Sequence, residues 1–282
     1  MSSPRITLND GTSIPQFGVG VWQVPPAETE RVVSDALEIG YRHVDTAQMY
    51  GNEAGVGAAI AASGLPRDEV YVTTKLNNNR HEPAAAKESL QVSLEQLRLD
   101  QVDLFLIHWP LPTQYGGDFL STWEALLELK EEGLTRSVGV SNFQPDHLDL
   151  IVDKTGVVPV VNQIEVHPYF ANEDARAATR RHGAHVEAWS PLGQGGGELE
   201  DPVVTRVAEA HGKTPAQVLL RWALDRGDIV FPKSMSKQRL AENFDVFDFA
   251  LSAEEVDALA GLDRGEAGRQ GPNPDTFDWI PD

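Results

Sequence analysis

The sequence predicts an α/β protein: a closed (β/α)8 barrel of the TIM type, with an N-terminal β-hairpin and an extra C-terminal helix and tail. Three observations lead there. Short apolar runs precede segments of helical spacing, and this alternation repeats eight times along the chain. The runs are almost continuously apolar, as strands buried on both faces must be. Finally, 282 residues suffice for one such barrel or two small domains, and nothing in the composition marks a boundary. One domain over residues 1–282 is therefore expected.

Taken in order, Arg5–Pro15 alternates around Asn9-Asp10-Gly11, a hairpin signal, and reads as a lid on one end of the barrel. Phe17–Val21 is the first barrel strand, and Ala27–Ile39 is a helix with Val32, Val33, Ala36 and Leu37 on one face. Strand Tyr41–Asp45 is followed by helix Glu53–Ser63, and strand Val70–Lys75 by helix Ala84–Leu97. Val102–His108 is the most apolar strand and leads to helix Thr122–Glu131. Ser137–Val140 precedes helix Pro145–Val152, and Val160–Glu165 precedes Glu173–His182. After strand His185–Ser190 comes an insertion, then helices over Val203–His211 and Pro215–Asp225. Ile229–Pro232 closes the series, followed by helix Lys237–Phe244. Ser252–Ala260 is one further helix, and Asp263–Asp282, rich in Gly, Pro and Asp, reads as an exposed tail that nevertheless carries Phe277 and Trp279.

Composition removes several classes of function. A formal net charge of -20 disfavours nucleic acid and anionic membrane as partners, since both call for a basic face. An anionic ligand would need a local basic cluster. The absence of cysteine excludes disulfides, thiolate nucleophiles and zinc–thiolate sites. No apolar run approaches the roughly 20 residues of a membrane span, and the first residues carry no signal-peptide pattern. A cytoplasmic monomer is the expectation.

Barrel strands end on one shared rim, and polar residues recur at these ends: Asp45, Lys75, His108, Ser141 with Asn142, Gln163, Ser190, and Lys233 with Ser234. Tyr50 lies in the loop just beyond Asp45. A phenol titrates near ~10, too high for efficient proton transfer at neutral pH. A neighbouring ammonium favours its ionisation, and a carboxylate beyond fixes the ammonium. Tyr50, Lys75 and Asp45 fit that relay, with His108 as a hydrogen-bonding partner for a carbonyl oxygen. A hydride source must come from elsewhere. No G-x-G-x-x-G opens a helix here: Gly18-Val19-Gly20 lacks its third glycine, and the Gly193–Gly197 cluster enters a long loop. Lys233, Ser234 and Arg239 at the start of a helix instead form a phosphate site, and Trp189 could stack on a flat heterocycle.

The stretches GYRHVDTAQMYGNE, VTTK, LIHWP, GVSNF, NQIEVHP, WSPLGQG and PKS…RLAENF, in this order, resemble the aldo-keto reductases from Asp10 to about Asp282. Within that family the chain is most similar to bacterial 2,5-diketo-D-gluconic acid reductases. The resemblance implies NADP(H) bound across the barrel mouth, a small-molecule aldehyde or ketone as substrate, and no metal. It implies Tyr50 as proton donor, Asp45 and Lys75 tuning it, and His108 orienting the carbonyl. The nicotinamide would lie over Trp189, its carboxamide held by Ser141, Asn142 and Gln163. Ser190, Leu192 and Gln194 would meet the pyrophosphate. Lys233, Ser234 and Arg239 would hold the 2′-phosphate, and Glu242 and Asn243 the adenine. Trp22, Gln48, Trp109, Phe277 and Trp279 would line the substrate pocket, with Gln48 departing from the small residue common in related enzymes.

Three other readings stay open on the residues alone: a metal-dependent hydrolase using His43, Asp45 and His108, a Schiff-base aldolase using Lys75, and a non-catalytic cofactor-binding or structural member of the same family.

Overall fold

A computed structural model describes residues 3–281; residues 1, 2 and 282, at the ends of the expected domain and tail, lie outside them. Strands β1 (Arg5–Thr7) and β2 (Ser13–Pro15) pair antiparallel as the expected hairpin. Eight parallel strands follow in order around one sheet: β3 (Val19–Gly20), β4 (His43–Asp45), β5 (Tyr71–Leu76), β6 (Val102–Ile107), β7 (Thr135–Ser141), β8 (Val161–Glu165), β9 (His185–Trp189) and β10 (Ile229–Val230). A parallel bridge from Phe17 to Val230 closes the ring, with the Gly18 amide donating to the Val230 carbonyl at 2.8 Å. The eight strands stand where the apolar runs placed them. Regular pairing of the first and last is shorter than expected, although backbone bonds across the closure run on, from the Val230 amide to the Gln16 carbonyl at 3.0 Å and from the Gly20 amide to the Pro232 carbonyl at 3.4 Å.

The intervening helices are α1 (Pro26–Ile39), α2 (Glu53–Ala62), α3 (Pro83–Leu97), α4 (Leu120–Glu131), α5 (Pro145–Thr155) and α6 (Glu173–Arg181). Then come α7 (Pro202–His211), α8 (Pro215–Asp225), α9 (Lys237–Phe244) and α10 (Ala253–Ala260). Five of them begin on proline, whose missing N–H costs nothing in the first turn. Reciprocal side-chain caps fix the starts of α8, through Thr214 and Gln217, and of α10, through Ser252 and Glu255.

Two apolar layers result. Helix residues such as Val32, Leu90, Trp123, Leu126 and Trp222 pack on the outward faces of the strands. Inside the barrel a smaller cluster joins Tyr71, Leu104, Leu106, Val161 and Ile229 to Leu8 and Ile14 of the hairpin. The hairpin plugs the end where strands begin: Asn9 donates to the Pro159 carbonyl at 3.1 Å, and Asp10 takes Lys130 and the Ser137 hydroxyl, each at 2.8 Å. The opposite end is left for the site.

Most of the tail is exposed, as expected, but it is anchored at particular points. Residues Gly265–Gly268 form a short 3-10 turn, and the chain then runs back over the mouth. Gly268 lies against the Tyr169 carbonyl and Gly271 against the Trp189 ring, so closely that a Cβ at either position would collide. Backbone without side chains packs where bulk could not.

Candidate active site

Strand β5 is inward-facing at Tyr71, Thr73 and Lys75, by the two-residue alternation of a strand. Lys75 thus reaches the rim fully buried. Its ammonium donates to Asp45 Oδ1 at 2.7 Å, to the Thr46 carbonyl at 2.8 Å and to Tyr50 Oη at 3.2 Å. An ammonium has three hydrogens and accepts nothing. All three are therefore committed, and Tyr50 is the acceptor in its pair. The phenol's own hydrogen is left to point elsewhere.

Tyr50 sits on a 3-10 turn, Gln48–Tyr50, held by its neighbours. The buried Asn52 accepts from Thr46 Oγ1 at 2.9 Å and donates to the Val21 and Val24 carbonyls. Next to it, Glu53 accepts from Thr74 and Ser93 and feels Lys75. Both residues belong to the GYRHVDTAQMYGNE stretch, yet nothing in the sequence says that they brace the turn. His108 stands edge-on to Tyr50, with ring centroids 5.7 Å apart at 73°.

Burial dominates the electrostatics. It raises Tyr50 above its ordinary range, more than the opposing pull of Lys75 lowers it. The sequence-based expectation of a phenol made more acidic thus does not hold; Tyr50 is a phenol at neutral pH. Burial also lowers Lys75, but Asp45 and Tyr50 outweigh that and hold it charged. Burial followed by Lys75 drives His108 well below the usual imidazole range, so its ring is neutral.

Of the other predicted residues, Ser141 and Trp189 end β7 and β9 on the same rim, Asn142 follows Ser141, and Gln163 lies near the end of β8. Ser141 donates to the Gln163 carbonyl at 2.8 Å, and Asn142 donates to the His108 carbonyl at 2.9 Å. Trp189 Nε1 donates to Asn142 Oδ1 at 2.8 Å, setting the indole edge. Gln163 turns inward, donating from Nε2 to Asp45 Oδ2 and to Glu187 Oε2, each at 2.9 Å. Asn142, Ser190 and Gln194 have φ of 63°, 53° and 45°, left-handed backbone that is uncommon for residues other than glycine. Gln194 donates to Ser190 Oγ, and Leu192 packs on the outer core. Ser234 is buried before α9, whereas Lys233 and Arg239 are exposed. Among the described residues neither of these two cations has an acidic partner, while nearby Lys237 is taken by Asp35 and Glu38. Asn243 is buried, and the Glu242 carbonyl accepts from Gln217.

Of the residues expected to line a substrate pocket, Trp109 and Phe277 touch, with centroids 4.2 Å apart, and the Trp279 carbonyl accepts from Asn78. Trp22 and Trp279 are the most open, 44% and 51% exposed. Gln48 is turned to α3, where its amide oxygen accepts from Ser89 at 2.6 Å. His43, fully buried, meets Thr73 Oγ1 through Nε2 at 3.0 Å and so faces the barrel interior.

A buried clasp ties the tail to this rim. His167, raised to about 9 by Glu165 and Glu198 against the effect of burial, bridges the two carboxylates at 3.0 and 2.5 Å. Glu165 also accepts the backbone amides of Gln270 and Gly271, at 2.7 and 3.0 Å. A second acid that no motif singled out is Glu187, two residues before Trp189 and so on the same inward face.

The model of the aldo/keto reductase family matches residues 14–264. The chain is 50% identical over 278 residues to an aldo-keto reductase of Mycolicibacterium smegmatis, covering 99% of both chains. It is 46% identical over 279 residues to the methylglyoxal reductase DkgA of Escherichia coli K12, covering 98% of this chain and 99% of that one. Among solved structures, a variant of Gox0644 in complex with NADPH superposes with a TM-score of 0.94 at 45% identity, covering 99% of this chain and 100% of that one. The Bombyx mori aldo-keto reductase in complex with NADP gives 0.89 at 38% identity, covering 96% of each chain.

Proposed function

The chain belongs to the aldo/keto reductase family, and from that membership we propose that it reduces small aldehydes or ketones to alcohols with NADPH, Tyr50 donating the proton. The observation that carries this reading is the threefold engagement of Lys75. With its hydrogens spent on Asp45, Thr46 and Tyr50, the Tyr50 proton is free to meet a carbonyl oxygen.

The residues present suit the cofactor. Lys233 and Arg239, two cations with no acidic partner among the described residues, stand at the start of α9 in a protein of net charge -20, and a 2′-phosphate would neutralise them. Ser234 adds a hydroxyl, and Glu242 and Asn243 lie on the same helix for the adenine. Ser190, Leu192 and Gln194 would follow the pyrophosphate. Trp189 would underlie the nicotinamide, with Ser141, Asn142 and Gln163 toward its carboxamide.

Bound NADPH supplies the hydride that the carbonyl carbon takes up. His108, neutral, can donate one hydrogen bond to the carbonyl oxygen and so orient it. Tyr50 passes its proton to that oxygen, completing the alcohol. The phenolate left behind faces an ammonium at 3.2 Å, and its charge develops where a fixed positive group already stands. Asp45 keeps that ammonium in place. Such acid assistance is worth roughly 10²–10⁴-fold.

Trp22, Trp109, Phe277 and Trp279 give the pocket aromatic walls, suited to compact carbonyls with little charge. Because DkgA of Escherichia coli is named a methylglyoxal reductase, methylglyoxal heads the substrate panel. Consumption of NADPH, read by its absorbance, should depend on added aldehyde, diketone or keto-sugar. No turnover with any carbonyl, by protein that binds NADPH, would leave a non-catalytic binding role and overturn the proposal.

A further inference from the structure

Glu187 is fully buried inside the barrel, in register with Gln163 on β8 and Ile229 on β10. Its Oε2 accepts from Gln163 Nε2 at 2.9 Å, and its Oε1 is buried with no partner among the described residues. The same Gln163 nitrogen donates its other hydrogen to Asp45 Oδ2 at 2.9 Å. A primary amide nitrogen has two hydrogens. With one on each carboxyl group, the amide has a single orientation, nitrogen inward and oxygen away from both acids. A chain of contacts therefore runs Glu187–Gln163–Asp45–Lys75–Tyr50 from the barrel interior to the proposed proton donor.

We propose that Glu187 is a positioning residue of the reduction site: by taking one amide hydrogen of Gln163 while Asp45 takes the other, it fixes that amide for the nicotinamide carboxamide and keeps Asp45 facing Lys75. The inference rests on the proposed roles of Tyr50 and the cofactor. The surroundings of Glu187 favour its neutral, protonated form at neutral pH. From β4 Glu187 faces Asp45, from β5 Lys75 and the phenol of Tyr71, from β8 Gln163 and from β10 the apolar Ile229. Burial first, then Asp45, pushes it up to about 8, against Gln163 and Lys75. Ionised, it would set a second carboxylate beside Asp45, hold Lys75 more firmly charged, and make a phenolate at Tyr50 harder to form. Carbonyl reduction should then lose rate as pH rises through about 8, before Tyr50 itself titrates.

Two measurements separate this role from a structural one. In the cofactor-free protein, infrared difference spectra between pH 7 and pH 9 should show a protonated carboxyl band in the wild type, lost in Glu187→Gln. In the pH profile of kcat, the step near 8 should vanish in Glu187→Gln while NADPH affinity, which the retained amide partner supports, changes less than threefold. Glu187→Val, which strands the second Gln163 hydrogen, should weaken NADPH about tenfold. No protonated carboxyl in the wild type, or an unchanged pH step in Glu187→Gln, overturns the proposal. The infrared result does not depend on Tyr50 or on turnover, so it stands apart from any failure of the reductase assignment; absence of the band in the wild type overturns the proposal whether or not a variant folds.

Discussion

Lys75 is the residue through which the site is wired. Its position was legible in the sequence because a strand's end is legible: VYVTTK stops being apolar at the point where β5 reaches the rim. The same reasoning placed Asp45, His108, Asn142, Gln163 and Trp189 on one ring. What it could not supply was depth. Gln163 meets Asp45 across 118 residues of sequence, a contact that exists only once the barrel closes. Nor could it weigh burial, which reverses the expected direction of the Tyr50 shift. Arg239 belongs to this scale as well. Replacing it by alanine should remove charge-assisted bonds of about 1.5–3 kcal/mol, weakening NADPH about 10–100-fold. NADH, lacking the 2′-phosphate, should be nearly unaffected in a fluorescence titration. Equal losses for both would remove Arg239 from the phosphate site.

At the scale of elements, the tail was the least legible part. Its Gly, Pro and Asp content reads as solvated chain, and composition says nothing of where a missing Cβ is useful. Gly268 and Gly271 let the backbone lie against Tyr169 and Trp189, while Phe277 packs on Trp109. Gly271→Val should therefore push the tail off the indole. Its φ is not in the left-handed region, so collision and not backbone strain is the cause. Expected are a several-fold rise in KM for the carbonyl and for NADPH and a loss of only a few degrees in Tm, seen by steady-state kinetics and thermal melts. Unchanged KM values would show that the tail shapes neither site.

For the molecule as a whole, the buried clasp links pH to stability. His167 titrates near 6.5 when unfolded and at about 9 when folded. A raised folded-state value means that folding favours the protonated ring, so its stabilisation is complete below about 6.5 and fades as pH rises through 9. Glu187, raised from 4.5 to about 8, likewise costs stability with rising pH, mainly between those values. On the acid side, His43 and His81, lowered to about 3 and about 4 by burial, favour unfolding as pH falls below about 6.5. Thermal melts should show Tm falling from pH 7 to pH 9.5. His167→Asn should be less stable at pH 6.5 and fall less over that window; a parallel fall would mean that the clasp is not protonated.

The central claim is that Tyr50 delivers the proton because Lys75 holds its oxygen and leaves its hydrogen free. It is tested most directly by single-turnover reduction in Tyr50→Phe, with NADPH affinity measured on the same sample. Reduction roughly 10²–10⁴-fold slower at unchanged affinity is the expected result. Reduction at the wild-type rate would show that the proton comes from another group.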